Sequence, residues 1–187
     1  VAALVLCVVF SAIHHDPYAV VSSVIYGSTS IILYTMSTLY HSFKVNNAKR
    51  VFRIIDHCSI FLLIAGTYTP YALVALPRNI GWWIFGVNWG CAAIGITLNA
   101  IDMKKYKKFS MILYLIMGWL IVFTFGDLMK AVDIGCIYLS LAAGILYTIG
   151  AILYGVGKKK KYIHSVFHFF VLAASVLFFF AIFLYII

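Results

Sequence analysis

Glutamate is absent from this chain of 187 residues, and its five acidic side chains are all aspartates: Asp16, Asp56, Asp102, Asp127 and Asp133. Charged residues of both signs together make up only 10%, against about 25% in ordinary soluble domains. A water-covered surface cannot be built from so few, which excludes a soluble fold. There is no CxxC pair. Cys7, Cys58, Cys91 and Cys136 are scattered, three of them within apolar stretches, and they read as small packing residues.

What fills the chain instead is apolar surface: 65% of residues are hydrophobic and the mean hydropathy is +1.06. A helix that spans a bilayer needs roughly 20 predominantly apolar residues, and stretches of that order recur with short polar breaks. The pattern predicts an all-α membrane protein, a single domain of seven transmembrane helices near residues 1–13, 18–43, 51–76, 80–101, 109–127, 133–157 and 161–187. The first stretch holds about 13 apolar residues before His14, short of a full crossing. It reads as the trimmed end of a helix, with a cleaved signal peptide as the alternative.

Fourteen Lys and Arg give a formal charge of +9. In a soluble protein that excess would point to nucleic acid; here its distribution points to a membrane surface. Twelve of the fourteen lie in alternate loops, namely Lys44, Lys49, Arg50 and Arg53, then Lys104, Lys105, Lys107 and Lys108, then Lys158 to Lys161. The intervening loops carry only Arg78 and Lys130. The positive-inside rule then puts the rich loops in the cytoplasm, the N-terminus inside and the C-terminus outside. It also gives these loops anionic lipid headgroups as partners, and no nucleic acid.

Ionisable residues at membrane depth are costly and usually mark function. Under the predicted orientation, His41 falls at the cytoplasmic end of the second helix, Asp56 near the cytoplasmic start of the third, and His164 and His168 near that of the seventh. Four-residue spacing stacks His164 over His168 on one helix face, and Ser37 over His41 on another. Polar stripes continue from His41 through Ser37, Tyr34, Ser30 and Ser23, from Asp56 through Ser59 to Thr67, and from His168 to Ser175. They predict a polar cavity opening inward from the site.

Three neutral imidazoles with one open position match a catalytic zinc site, which lowers the pKa of bound water to about 7. Asp56 then holds or deprotonates that water, or ligates the metal itself; Ser37 orients the water or donates to a developing oxyanion. A proton relay without metal is the alternative. His14, His15 and His57 read as interfacial or packed residues. His57 is about 100° of helix rotation from Asp56, so only one of them can point directly at a common centre, leaving His57 as a supporting partner. Pro70 removes a backbone bond to Gly66 and is expected to kink the third helix. Trp82, Trp83 and Tyr185 read as interfacial anchors, and Gly86 and Gly90 as a close-packing pair.

The SxxxH run Ser37-Thr38-Leu39-Tyr40-His41, the stretch IDHCSIFLLIAGTYTP from Ile55 to Pro70 and the HxxxH pair His164 to His168 together resemble the hemolysin III family. This is the bacterial branch of the progestin and adipoQ receptor group, within the CREST superfamily. Each motif alone is weak; in this order, on these helices, they are specific. The resemblance implies a seven-helix bundle with its N-terminus inside, and zinc held near the cytoplasmic face by His41, His164 and His168. It places Asp56 and Ser37 beside the metal-bound water.

The function this implies is a zinc-dependent intramembrane hydrolase in a bacterial plasma membrane, cleaving a lipid amide of ceramide-like type. Two other classes compete: a membrane-lytic protein, and a receptor or sensor with structural zinc. A retinal-type pigment is excluded, since its Schiff base needs a lysine in the middle of the seventh helix and the only one there is Lys161, at the edge.

Overall fold

The computed structural model of the chain describes residues 1–14, 16–44, 46–156 and 163–187, without the side chains of Val156 and His164. Among the described residues every regular element is helical: α1 (Ala2–Ile13), α2 (Pro17–Ser42), α3 (Asn47–Pro70), α4 (Arg78–Asp102), α5 (Lys107–Gly118), α6 (Phe125–Ala131), α7 (Ile134–Val156) and α8 (Ile163–Tyr185). A π-helical turn, Tyr71–Ala75, prolongs α3, and a 3₁₀ turn, Leu120–Thr124, joins α5 to α6. Six spans are long and apolar enough to cross a membrane, with α5 to α6 counted as one; α1 is apolar but shorter. The chain is a multi-pass, all-helical membrane protein.

Helix starts are set by capping, whereas hydropathy marks only where the membrane begins. Asp16 accepts the Tyr18 amide at 2.9 Å, with Pro17 in the first turn of α2. Asn46 accepts the Lys49 amide at 2.8 Å, so α3 begins four residues before the apolar run and carries Lys49 and Arg50 in its first turns. These side chains satisfy amides that helix ends leave without partners.

Helices adjacent in sequence pack against one another from α1 to α5, α5 packs on α7, α7 on α8, and α8 returns to α1. Within this ring α3 also touches α5 and is the most buried of the spans. From Leu63 to Pro70 it is buried at every position but Ile64. Elsewhere large apolar side chains turn outward, such as Trp83, Phe123 and Phe169, the inverse of a soluble protein and the arrangement lipid permits. Trp82 and Tyr185 are exposed as well.

Close approach around α3 depends on glycine. A Cβ on Gly66 would strike the Thr29 side chain of α2, and one on Gly95 would strike the ring of Phe61, so α2 and α4 both lie tight against α3. This corrects the expectation for Gly86 and Gly90: a Cβ at either meets nothing within 4 Å. Their spacing permits a close helix contact, but that face of α4 has no neighbour.

Two breaks depart from straight spans. Pro70 ends the regular part of α3, and a π turn follows it, closed by the Leu76 amide reaching back five residues to the Tyr71 carbonyl at 2.9 Å. The fifth span, expected to be continuous, is interrupted after Gly118. There the Tyr68 hydroxyl donates to the Gly118 carbonyl at 2.6 Å and accepts from the Ile121 amide at 3.1 Å. Backbone groups freed within a membrane must find such partners.

Gly66→Ala is expected to lower the thermal midpoint in detergent by the equivalent of about 1–3 kcal/mol through overpacking against Thr29. Gly86→Ala should be neutral or stabilising by up to about 1 kcal/mol, since alanine is the better helix former. Equal midpoints for the two variants would refute this account of α2–α3 packing.

Candidate metal centre and its cavity

One end of the bundle gathers the C-terminal turns of α2, α4 and α7 and the N-terminal turns of α3, α5 and α8, since neighbours in the ring run in alternating directions. A cavity of about 760 Å³ opens there, within the range of ligand-binding pockets, and its lining includes Ser37, His41, Asp56, His57, Tyr154 and His168. Four of the five predicted site residues thus share one space. The fifth, His164, lies on α8 one turn before His168, and its side chain lies outside the described residues, as do His15 and Lys158 to Lys161.

The Nε2 atoms of His41 and His168 face each other at 3.2 Å, with their rings nearly perpendicular at 88°. Two neutral imidazoles can adopt this spacing by hydrogen bonding, if one donates. It is also the spacing of two nitrogens on one tetrahedral zinc, roughly 3.3 Å for bonds of about 2.0–2.1 Å. The donor types fit such an ion: paired imidazoles that share a cavity with a carboxylate, on three different helices. Among the described residues no set of three or more His, Cys or carboxylate groups closes a cage.

Asp56 is buried at 8% exposure, and one of its carboxylate oxygens lies 3.8 Å from Nδ1 of His57. A charge at that depth is tolerated only with partners. His57 faces a different neighbour: Nδ1 lies 2.9 Å from the Arg53 carbonyl and Nε2 lies 3.0 Å from the Tyr154 hydroxyl. Because the carbonyl can only accept, Nδ1 carries a proton; with the ring neutral, Nε2 accepts from the tyrosine. His57 therefore fastens α3 to α7. Tyr114 of α5 adds a second fastening, donating to the His57 carbonyl at 2.7 Å.

The predicted polar stripes are only partly cavity lining. Ser37, Tyr34 and Thr67 reach the space, but Ser30 donates to the Tyr26 carbonyl at 2.9 Å and Ser59 to the Asp56 carbonyl at 2.7 Å. Ser23 pairs with Ser11 of α1 at 3.0 Å. Hydroxyls in apolar helices commonly satisfy themselves on the preceding turn. Deeper down, Ser175 meets the Tyr147 hydroxyl at 2.6 Å, while most of the wall is aliphatic and aromatic. The cavity is polar at its mouth and apolar within, rather than polar throughout.

His14 is exposed, bonded to its own helix at the Phe10 carbonyl, and sits at the opposite end of α2 from His41. Tyr154, Arg53 and Lys107 also line the cavity, although nothing in the sequence distinguishes that tyrosine from the other twelve, and the two cations serve equally well as topology signals.

The profile of haemolysin-III related proteins matches residues 1–179. Hemolysin-3 of Bacillus cereus is 36% identical over 184 residues, covering 98% of this chain and 84% of that protein. The Hemolysin-3 homolog of Bacillus subtilis (strain 168) is likewise 36% identical, over 183 residues that cover 98% of this chain and 85% of its own. The human monocyte to macrophage differentiation factor is 26% identical over 198 residues, covering 97% and 79%. No solved structure matches. With a family-wide match over nearly its whole length and relatives sharing more than a third of its residues, the chain belongs to the haemolysin-III related family.

Proposed function

We propose that this protein is a zinc-dependent intramembrane hydrolase that cleaves a lipid amide of ceramide-like type. The observation that carries the reading is the pair of Nε2 atoms at 3.2 Å inside a cavity shared with Asp56 and Ser37. His41 and His168, with His164 as the third imidazole, would hold the ion. A zinc ion bound there supplies Lewis acidity, polarising a carbonyl and making water acidic enough to react near neutral pH.

The remaining work belongs to the chain itself. Asp56, buried in the wall of the same cavity, accepts the proton of the attacking water and returns it to the leaving amine. Ser37, one turn inward from His41, donates a hydrogen bond to the amide oxygen as negative charge develops on it. The apolar interior keeps bulk water away and receives the acyl chain. His57, tethered to Tyr154, keeps this end of α3 fixed against α7 so that Asp56 does not swing away.

On this reading the lysine- and arginine-rich end lies in the cytoplasm, with the N-terminus inside, the C-terminus outside and anionic headgroups at the basic loops. A bacterial plasma membrane is the setting that accords with the two Bacillus relatives. The names of these relatives describe haemolysis, which supports a second reading, membrane lysis by this chain. Nothing in the cavity chemistry needs a lytic role, and lysis needs no paired histidines.

Purified protein should contain about one zinc per chain, and His41→Ala, His164→Ala and His168→Ala should each lose it by elemental analysis; a metal-free wild type would return the cluster to a proton relay. Against a panel of lipid amides, Asp56→Ala should lower turnover by about 10² to 10⁴ and Ser37→Ala by roughly 10 to 10³. No turnover of any amide by zinc-loaded wild type would remove the hydrolase reading. Red-cell lysis that persists in the His41→Ala/His168→Ala double variant would favour the lytic one.

A further inference from the structure

Three cations line the mouth of the same cavity: Arg53 of α3, Lys104 in the α4–α5 connection and Lys107 at the start of α5. Arg53 and Lys107 are half-buried and lie close enough to repel one another. The Lys107 ammonium is held over the ring of Tyr154, 5.1 Å from its centroid. Among the described residues Asp56 is the only carboxylate in the lining, and none of the three cations has a carboxylate within ion-pair distance. Like charges brought together beside a low-dielectric interior cost energy unless a counter-charge arrives.

Orientation in the membrane does not require this arrangement. Lys44, Arg50, Lys105 and Lys108 supply positive charge in the same loops and are exposed away from the cavity. Arg53, by contrast, lies on the helix face that carries Asp56 and His57, three and four residues on. Inward of the cations the wall turns apolar, through Ile60, Leu63, Ile64, Leu115, Val171 and Phe178. From Arg53 to Tyr68, both in the lining, the helical rise is about 22 Å, more than half the thickness of a hydrocarbon core.

We propose that the cavity takes a lipid whose headgroup carries a phosphate, the phosphate seated between Arg53, Lys104 and Lys107 and one acyl chain running inward along α3. Three cations at one mouth match a group that can carry two negative charges; a carboxylate would be neutralised by one. The reaction is the only part of this that rests on the hydrolase reading, where it names the substrate class as anionic lipids; binding stands apart from it. Asp56 then lies inward of the headgroup, level with the first atoms of the chain.

The test uses the full chain in detergent and follows binding by native mass spectrometry, with three probes: a 1-acyl-glycerol phosphate, the matching monoacylglycerol, and inorganic phosphate. Wild type should prefer the acyl-glycerol phosphate over the neutral lipid by at least about tenfold, as expected for charge-assisted contacts. R53Q/K107Q should lose that preference, while R53K/K107R, which keeps both charges, and K105Q/K108Q, outside the cavity, should retain it. Thermal midpoints without lipid show which variants are folded; should R53Q/K107Q not fold, K104Q, at an exposed position, is required to lower the preference instead.

Equal binding of the two lipids by wild type would overturn the proposal, as would a preference that survives R53Q/K107Q. Inorganic phosphate binding as tightly as the lipid would also overturn it, by showing a free-anion site. Zinc content and amide turnover of the same wild-type preparation separate the two readings: a preparation that cleaves no amide yet keeps the lipid preference sinks the hydrolase reading and leaves this result standing.

Discussion

The tight contact between α2 and α3, made where Gly66 admits the Thr29 side chain, is the constraint on which the rest depends. The predicted site is split between these helices and α8: Ser37 and His41 lie toward one end of α2, Asp56 toward the facing end of α3. Neither helix has a loop long enough to bring its residues to the other. Their relative placement is therefore set by a packing distance more than two turns away from the chemistry, and a methyl group at position 66 would push the two halves apart. The buried Thr29 hydroxyl, bonded back to the Ile25 and Tyr26 carbonyls at 2.9 and 3.0 Å, cannot readily turn aside.

Around that fixed pair, polar contacts are used sparingly and at the mouth. His57, Tyr154, Tyr114 and the Arg53 carbonyl tie α3, α5 and α7 together on one side of the cavity, while His41 and His168 connect α2 to α8 on the other. Inward, hydroxyls mostly bond to their own helices, so the interior presents carbon to any guest. A chain of apolar methylenes is accepted there without desolvating anything, and a polar group has few places to stop before the mouth.

Much of this was legible from the order of residues because lipid makes polar side chains expensive. His41, Asp56 and His168 stood out in apolar runs, charge asymmetry assigned them to one end, and four-residue spacing identified the faces. The structure brings these three and Ser37 into one cavity. Other features carried no such signal. The Gly118 break has no proline to announce it, and its hydrogen-bond partner, Tyr68, is distant in sequence. Gly86 and Gly90 have the spacing of a helix contact, yet only the three-dimensional arrangement shows that nothing faces them. Arg53 and Lys107 were absorbed into a tally of loop charges that has no register for where a side chain points. Ser23 and Ser30 fell on the right stripe, but a stripe does not reveal which hydroxyls are already engaged by their own backbone.

The interruption of α5 lies at the innermost reach of the cavity, where Tyr68, Gly118 and Trp119 all line the wall. The deep limit of the space is thus a joint instead of a rigid partition: two hydrogen bonds from one phenol splint a backbone that has no continuous ladder of its own. Trp119 adds an outer brace by donating to Thr148 of α7 at 3.0 Å. The far end is therefore held by side-chain hydrogen bonds across a break in the helix, whereas the walls nearer the mouth are continuous helix, so the floor of the cavity is jointed. A guest long enough to reach this depth meets a hinge fastened by one phenol rather than an unbroken run of helix.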